Sequence, residues 1–502
     1  MRRGVMLAVL FGTLSIAALA DPQAAAQAPA KTPTEPHAKE PSHKSGFSLP
    51  TIDTAKPWTG DLDGMITRRT IRILVPYSRT YYFVDRGVQH GLAYEVSQLA
   101  EADLNKTLKT GHIRVHVVCI PVARDAMMSY LLEGRGDVAV GNLTITPERL
   151  KRVDFTNPTA RNVSEIVVSG PGADPIGTIE DLSGKEVYVR KSSSYYESIQ
   201  GLNAELAKTR RAPVKVRLAP ENLEAEDILE MVNAGLVKMT VVETYLADFW
   251  KQIFTKLTLH PAVAVRTGGE ISWMIRKDSP KLKEELNAFL ARFEKSGQSR
   301  DILTRYLKST RWAKGATSRE EIKKFEQTVE IFRTYGSRYD LDYLLLMAQG
   351  YQESELNQNA RSRVGAIGIM QVMPATGGDM RVGDITQIDP NIHAGTKFLR
   401  AMINEYYAKE PMDALNKGLF AFAAYNAGPG RLRQLRKLAA QRGLDPNVWF
   451  NNVELMAAEK IGRETVTYVS NIYKYYLAYQ MVEEERTDRE KTKAAIKEDA
   501  RK

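Results

Sequence analysis

The segment from Gln349 to Pro374 reads QGYQESELNQNARSRVGAIGIMQVMP and places one carboxylate, Glu353, at the end of an apolar helix. A polar segment punctuated by glycine follows and turns back into a second apolar run. Leu345, Gln349 and Glu353 are four residues apart, so Glu353 lies on or beside the buried stripe of its helix. Burial raises the pKa of a carboxyl group toward the range useful for a general acid. The segment therefore predicts a helical domain with an acid at the rim of a groove.

Glu353 alone is a weak signal, because a glutamate at a helix end is more often solvated or a capping residue. Three further blocks follow it in order, and they are Gly365–Gln371 with Pro374, Ala424–Gly428, and Glu464-Thr465 with Tyr468-Val469. Together with Glu353-Ser354, these blocks resemble the family 1 lytic transglycosylases over roughly residues 338–479. The resemblance implies a lysozyme-like domain that cuts the glycan strands of peptidoglycan.

The resemblance also implies a mechanism with a single acid and base. Most glycosidases need two carboxylates, but Glu355 follows Glu353 by two residues and cannot face it on a helix. In the family one glutamate protonates the oxygen leaving the muramic C1 and then deprotonates that sugar's C6 hydroxyl, which gives a 1,6-anhydromuramic end. This role falls to Glu353, and the expected substrate-binding residues are Ser354, Gln371, Tyr425, Asn426, Glu464 and Tyr468.

Several of these blocks also have a purely structural interpretation. Gly428-Pro429 is an ordinary helix stop, and Met370 fits a hydrophobic core better than a contact with sugar. A glutamate such as Glu464 is favourable at a helix N-terminus. These alternatives stay open for each residue taken singly.

Strands alternate with helices in the first half of the chain, which indicates an α/β layer with a largely parallel sheet. The predicted strands are Ile71–Val75, Ile113–Val122, Asp137–Val140, Glu186–Arg190, Val214–Leu218, Met239–Val242 and Glu270–Arg276. The predicted helices are Leu92–Leu104, Arg124–Glu133 and Lys281–Phe293.

The stretch GRGDVAVGNLTITPERLKRVDFTNP, from Gly134 to Pro158, resembles the amino-acid-binding family of periplasmic solute-binding proteins. The likeness extends over roughly residues 69–293 and implies a clamp of two lobes. The predicted fold is therefore an α/β two-lobed periplasmic-binding-protein-like domain followed by an all-α-rich lysozyme-like domain. A solute-binding module upstream of such a domain resembles the modular membrane-bound lytic transglycosylases.

The resemblance assigns the ligand carboxylate to Arg149, whose guanidinium matches a carboxylate bidentately; the structural alternative is a surface salt bridge. Glu243 stands where the family usually has an aspartate that holds the ligand's amino group. Its longer reach makes a wall peptide or muropeptide fragment the favoured ligand over a free amino acid. The other expected contacts are Asn142, Thr144, Ser193, Ser194 and Tyr77.

The N-terminus has the pattern of a secretory signal, with Arg2 and Arg3 before an apolar run from Val5 to Leu19. The predicted organisation is a signal peptide (1–20), a disordered tether (21–67), a solute-binding-like regulatory domain (68–296), a helical linker (297–334), a lytic transglycosylase domain (335–482) and a charged tail (483–502). The single cysteine, Cys119, lies in an apolar run. Since no cysteine follows the predicted signal peptide and Cys119 has no second cysteine to pair with, we expect neither a lipoprotein anchor nor an intrachain disulfide.

A net charge of +10 and a sequence pI near 9.3 fit an exported protein that meets anionic cell wall or lipid headgroups. Aromatic residues do not interleave with a basic stripe, so nucleic acid is not an expected partner. The spacing of five between Asp379, Asp384 and Asp389 is unlike an EF-hand loop. No His/Cys cluster has metal spacing, and neither a metal nor another cofactor is expected.

The sequence as a whole predicts a periplasmic peptidoglycan lytic transglycosylase whose N-terminal clamp binds wall peptide and tunes the catalytic domain. Peripheral association with the outer membrane is part of this prediction. One alternative is a non-catalytic protein that binds peptidoglycan and solute. Another is a transport receptor that uses its second domain as a wall anchor.

Overall fold

Strands and helices alternate in the described part of the first half of the chain. The computed structural model describes residues 57–310 and 319–499, so the predicted signal peptide and most of the predicted tether lie outside the described residues. The strands among them are β1 (Thr70–Val75), β2 (Phe83–Asp85), β3 (Val88–His90), β4 (His116–Pro121), β5 (Val138–Thr144), β6 (Asp154–Phe155), β7 (Ala160–Ser169), β8 (Glu186–Arg190), β9 (Lys215–Ala219), β10 (Met239–Glu243) and β11 (Thr258–Ile275).

Helices pack on both sides of these strands. They are α1 (Leu62–Thr67), α2 (Leu92–Thr107), α3 (Ala126–Leu132), α4 (Pro147–Arg152), α5 (Ser194–Lys208), α6 (Ala225–Asn233), α7 (Thr244–Lys251), α8 (Pro280–Lys295) and α9 (Gln298–Leu307). Each strand and helix predicted for this half has a counterpart, and β8 has the predicted bounds.

The main sheet has the order β10-β7-β11-β5-β1-β4 and is mixed, so the prediction of a largely parallel sheet is wrong. β1 is parallel to β4 and β5, but β11 is antiparallel to β5 and β7, and β10 is antiparallel to β7. The reason is topological. The chain crosses from the first lobe to the second along β7 and returns along β11, and two crossings in opposite directions must be antiparallel.

The two lobes have separate hydrophobic cores. Lobe 2 comprises residues 166–263 and has its own buried cluster around Val189, Leu229 and Trp250. Lobe 1 comprises the rest of residues 57–310, and its cores lie on the two faces of β1 around Ile73 and Leu74. This is the predicted two-lobed α/β architecture.

The second half is helical, as predicted. Its helices are α10 (Arg319–Arg338), α11 (Tyr343–Ser354), α12 (Pro374–Met380), α13 (Ile388–Met402), α14 (Ala414–Ala427), α15 (Pro429–Gln441), α16 (Glu454–Lys460) and α17 (Arg463–Asp499). The apolar residues 418–424 of α14 are all buried, so this helix forms the centre of the domain. Asp342 is the N-cap of α11, and its side chain accepts a hydrogen bond from the backbone N–H of Leu344 at 2.9 Å.

The structure differs from the predicted domain boundaries at both ends. The end of the predicted tether is folded: α1 falls within it, Met65 is fully buried, and Trp58 lies 3.9 Å beneath the guanidinium of Arg68. The predicted linker contains α9 and most of α10, and the predicted charged tail continues α17 as far as Asp499. A sequence rich in charge lacks the apolar periodicity by which a packed helix is recognised.

A buried ion pair joins the two halves of the chain. The guanidinium of Arg69 in lobe 1 binds both carboxylate oxygens of Glu454 in α16, at 2.5 and 3.1 Å, and the Glu454 side chain is fully buried. A second pair joins Lys474 to Glu101 at 2.8 Å, and the Tyr479 hydroxyl donates to the carbonyl of Gly87 at 2.5 Å.

Among the described residues, no helix combines the length and the apolar character that a membrane span requires.

We expect Arg69→Met to lower the free energy of unfolding by about 3 kcal/mol, because it leaves the Glu454 carboxylate buried without a partner. Urea denaturation measures this loss. The matched control is Arg161→Met, which breaks a pair to Glu270 whose side chains are 60% and 45% exposed and should cost at most about 1 kcal/mol. Equal losses for the two variants would contradict the expectation.

Candidate active site

Glu353 lies in the last turn of α11, and its carboxyl group is partly buried. Burial raises its pKa to about 7, and a hydrogen bond from Tyr468 lowers it only in part. The Tyr468 hydroxyl donates to Oε1 of Glu353 at 2.5 Å. Near neutral pH the carboxyl group therefore exists in both protonation states, as a group that serves as acid and then as base requires.

Two neighbours orient the Tyr468 hydroxyl. Tyr468 lies in the second turn of α17 and is buried, so its ring cannot turn freely toward solvent. The side-chain amide of Gln349, one turn before Glu353 in α11, donates to the Tyr468 oxygen at 3.4 Å. Gln349 and Glu353 thus hold the hydroxyl from one helix, since residues four apart share a helix face.

The glycine-punctuated segment after α11 is held by side chains predicted to bind substrate. Ser354 donates to the carbonyl of Ile369 at 2.9 Å, and the Gln371 amide donates to the carbonyl of Gly368 at 2.8 Å. The Tyr425 hydroxyl donates to the carbonyl of Met370 at 2.8 Å rather than to Glu353. These three side chains therefore fix the backbone of residues 368–370.

Gly368 is required by its surroundings. Its φ is +76°, in the left-handed region, and a Cβ there would approach the side-chain nitrogens of Asn391 and Gln358 to 2.6 Å. The neighbouring Met370 is fully buried, as expected of a core residue. Gly428 ends α14 and directly precedes α15, so its structural interpretation holds as well.

A cleft of about 410 Å³ opens beside Glu353. It is lined by Gln352, Glu353, Asn426, Arg463, Glu464, Thr467 and Tyr468. The side-chain oxygen of Asn426 accepts a hydrogen bond from the Thr465 hydroxyl at 2.7 Å, which fixes the orientation of the side-chain amide. The amide nitrogen of Asn426 remains as a donor for a ligand in the cleft.

The cleft brings together four of the predicted site residues, which are Glu353, Asn426, Glu464 and Tyr468. Ser354, Gln371 and Tyr425 do not line it and instead bind backbone carbonyls of residues 368–370. Sequence reasoning missed Gln352, Arg463 and Thr467. The signal for the last two was their spacing, because Arg463 and Thr467 share a helix face beside the face of Glu464 and Tyr468.

Arg149 spans the two lobes of the solute-binding domain. Its guanidinium donates to the carbonyl of Thr144 in lobe 1 at 2.8 Å and to the carbonyl of Ser192 in lobe 2 at 3.0 Å. The Ser194 hydroxyl donates to the Thr144 hydroxyl across the same boundary at 3.2 Å. The structure therefore brings together three of the residues predicted to hold a ligand, Arg149, Thr144 and Ser194.

The remaining predicted ligand residues have other neighbours. Asn142 has a left-handed backbone with φ +61° and accepts a hydrogen bond from the Tyr245 hydroxyl. Ser193 caps α5 and donates to the carbonyl of Arg190 at 2.7 Å. Tyr77 lies beneath the guanidinium of Arg489, 4.7 Å from the ring centre, and so faces the end of α17.

Glu243 is buried at the end of β10 and accepts a hydrogen bond from the Tyr195 hydroxyl at 2.5 Å. Burial, with the nearby charge of Glu165, raises the pKa of Glu243 to about 7. A carboxyl group that is only partly ionised at neutral pH, with one oxygen already bound by Tyr195, is a weaker partner for an ammonium ion than a free carboxylate. The geometry thus gives no support to Glu243 as the group that holds a ligand's amine.

Sequence reasoning missed the ion pairs between the lobes. The guanidinium of Arg124 in lobe 1 binds Glu224 in lobe 2 at 2.8 Å, and Glu224 also binds Arg190 at 3.1 Å. Glu226 accepts hydrogen bonds from the Ser78 hydroxyl at 2.8 Å and from the backbone N–H of residue 79 at 2.7 Å. The acidic run from residue 221 to 227 was the available signal.

Within the described residues, no group of three or more His, Cys, Asp or Glu side chains is placed to hold a metal ion.

Comparison with known proteins identifies both halves. Residues 72–309 match the family of bacterial extracellular solute-binding proteins, family 3, and residues 330–447 match the transglycosylase SLT domain. An ancestral amino acid-binding protein, a precursor of cyclohexadienyl dehydratase, is 21% identical over 49% of this chain and 99% of its own, with a TM-score of 0.40.

Relatives match across both domains. The membrane-bound lytic murein transglycosylase F of Desulfosudis oleivorans is 25% identical over 81% of this chain and 89% of its own length. That of Ectopseudomonas mendocina is 27% identical over 81% of this chain and 83% of its own length. The chain thus combines a solute-binding domain with a transglycosylase SLT domain, and over four-fifths of its length it is similar to membrane-bound lytic murein transglycosylases F.

Proposed function

We propose that the chain cleaves the β-1,4 bond between MurNAc and GlcNAc in peptidoglycan and leaves 1,6-anhydro-MurNAc ends. The observation that carries this proposal is the single partly buried carboxyl group of Glu353, whose pKa of about 7 suits both halves of the reaction. Glu464 is the other carboxylate that lines the cleft, and it is exposed to solvent.

In the first step the protonated Glu353 gives its proton to the glycosidic oxygen as the bond from that oxygen to the muramic C1 breaks. GlcNAc leaves with a free hydroxyl at C4, and positive charge develops at C1. The substrate's own acetamido group stabilises that charge. Asn426 can hydrogen-bond an N-acetyl group, because its amide is already fixed by Thr465.

In the second step the Glu353 carboxylate takes the proton of the muramic C6 hydroxyl, and the C6 oxygen attacks C1. The ring closes without water, and Glu353 returns to its protonated form. The hydrogen bond from Tyr468 stabilises the carboxylate between the two steps. One residue that gives and then regains one proton balances the reaction.

The clamp is proposed to bind a wall peptide between its lobes and thereby to tune the catalytic domain. Arg149 supports this proposal, since its guanidinium lies at the boundary of the lobes and holds backbone carbonyls that a peptide carboxylate could replace. The buried contacts between Arg69 and Glu454 give the clamp a direct connection to the helical domain.

The proposed location is the periplasm, with peripheral contact to the outer membrane. The sequence pattern of residues 1–20 and the net charge of +10 support export and attraction to anionic surfaces. Fractionation of cells that express the tagged chain, followed by a high-salt wash, tests both parts of this assignment.

We expect Glu353→Gln to lower the rate of product formation from purified sacculi by about 1000-fold or more, because it removes the proton donor and acceptor. Mass spectrometry of the digest identifies the ends. Wild type should give anhydromuramic ends.

The matched control for Glu353→Gln is Glu464→Gln, which should retain these products. Reducing ends from wild type, together with an inactive Glu464→Gln variant, would instead indicate a hydrolase with two carboxylates. No products at all from wild type would favour a binding protein.

We expect kcat/KM to fall as the pH rises through about 7, because Glu353 must start protonated. Tyr468→Phe removes a hydrogen bond that stabilises the anion, so it should raise the pKa of Glu353 and move this alkaline limb up by about one pH unit. Tyr425→Phe should leave the limb in place, since that hydroxyl binds the carbonyl of Met370. A limb that moves equally in both variants would contradict the assignment.

We expect a wall tetrapeptide to bind the full-length chain and Arg149→Ala to weaken that binding by about tenfold to a hundredfold, the value of a charge-assisted hydrogen bond. Isothermal calorimetry measures it. Arg152→Ala is the control, because Arg152 is an exposed cation at the end of the same helix. The proposal fails if wild type binds no wall peptide.

A further inference from the structure

The last three turns of α17 lie against lobe 2 of the solute-binding domain. The Asn222 amide in lobe 2 donates to the carbonyl of Asp488 at 3.1 Å and to the Thr492 hydroxyl at 2.7 Å. In return, Nε of Arg489 donates to the carbonyl of Asn222 at 3.2 Å. The helix end and lobe 2 therefore each contribute both backbone and side-chain groups to this contact.

Two cations of this helix end neutralise a buried carboxylate. Nζ of Lys493 lies 2.5 Å from Asp227 and 3.1 Å from Glu230, and the Arg489 guanidinium lies 3.5 Å from Asp227. Asp227 is only 3% exposed. Burial alone would raise its pKa, but Arg489 and Lys493 outweigh burial and hold the pKa below its ordinary value. The ionised form of the Asp227 carboxyl group is thus stabilised by cations that the helical domain supplies.

The same helix end also touches lobe 1. The guanidinium of Arg489 lies over the ring of Tyr77, which belongs to lobe 1, at 4.7 Å from the ring centre. Ile496, two turns further, packs against the hydrophobic core of lobe 2. Arg489 therefore contacts both lobes.

Lobe 1 also binds the same segment of lobe 2. Glu224 binds Arg124 of lobe 1, and Glu226 accepts a hydrogen bond from Ser78 of lobe 1. Asp227, the next residue, is bound by the helix end instead. Three acidic residues within four positions thus connect lobe 2 both to lobe 1 and to the catalytic domain.

We propose that residues 488–496 of α17 form a strap across the mouth of the clamp, which holds its lobes closed until Arg489 and Lys493 release Asp227. The strap is made from the helix that also carries Tyr468. This inference deepens the proposed function, since a ligand that needs an open clamp must compete with the strap. Closure by the strap is a property of the ligand-free chain and is measurable without activity or ligand.

The test is the distance between the lobes in the full-length chain, measured by double electron–electron resonance. Spin labels are placed at Arg152→Cys in lobe 1 and Ala204→Cys in lobe 2, both exposed helix positions. Cys119 is buried and is replaced by serine. Arg489→Ala with Lys493→Ala should add a population at longer distance that is absent from the unmodified strap.

The matched control is Lys491→Ala with Lys497→Ala. It removes the same charge from two exposed positions of α17, one within the strap and one directly after it, and it should leave the distance distribution unchanged. Asn222→Ala is the second variant, because it weakens the strap without leaving a buried charge unpaired. It should give a smaller shift in the same direction and decides the matter if the double variant does not fold. Unchanged distances in Asn222→Ala and in a folded Arg489→Ala/Lys493→Ala variant would overturn the proposal, as would an equal shift in the control.

Discussion

The hydrogen bond from Tyr468 to Glu353 is the interaction on which the rest of the structure depends. It joins the last turn of α11 to the second turn of α17, it positions the carboxyl group, and it partly offsets the rise in the pKa of Glu353 that burial causes. The two helices pack directly against each other, and this packing holds them at the spacing that the hydrogen bond needs. Much of the helical domain can therefore be understood as support for one contact between two side chains.

Local patterns were enough to predict much of the fold. Alternation of strands and helices predicted the α/β half, and β8 was predicted to the residue because the short apolar run Val187–Val189 is bounded by the charged residues Glu186 and Arg190. The position of Glu353 followed from helical spacing. Its partner Tyr468 is 115 positions away, and only the resemblance to a family connected the two.

What the sequence did not reveal depends on pairing over long distances and on charge. The antiparallel β7 and β11 are set by how often the chain crosses between lobes, which no local pattern records. The end of α17 was predicted as a tail because its residues are charged, yet Arg489 and Lys493 are held by a buried carboxylate. Charged helices that pack through ion pairs lack the apolar stripe that identifies packed helices from sequence.

The length of α17 has a mechanical consequence. Tyr468 and Arg489 are 21 residues apart on one continuous helix, a distance of about 32 Å at a rise of about 1.5 Å per residue. A continuous helix transmits displacement as a rod, so its two ends cannot move independently unless it bends or frays between them. Any motion of the clamp that shifts Arg489 therefore either displaces Tyr468, the hydrogen-bond partner of Glu353, or must be absorbed by bending or fraying of the helix between the two residues.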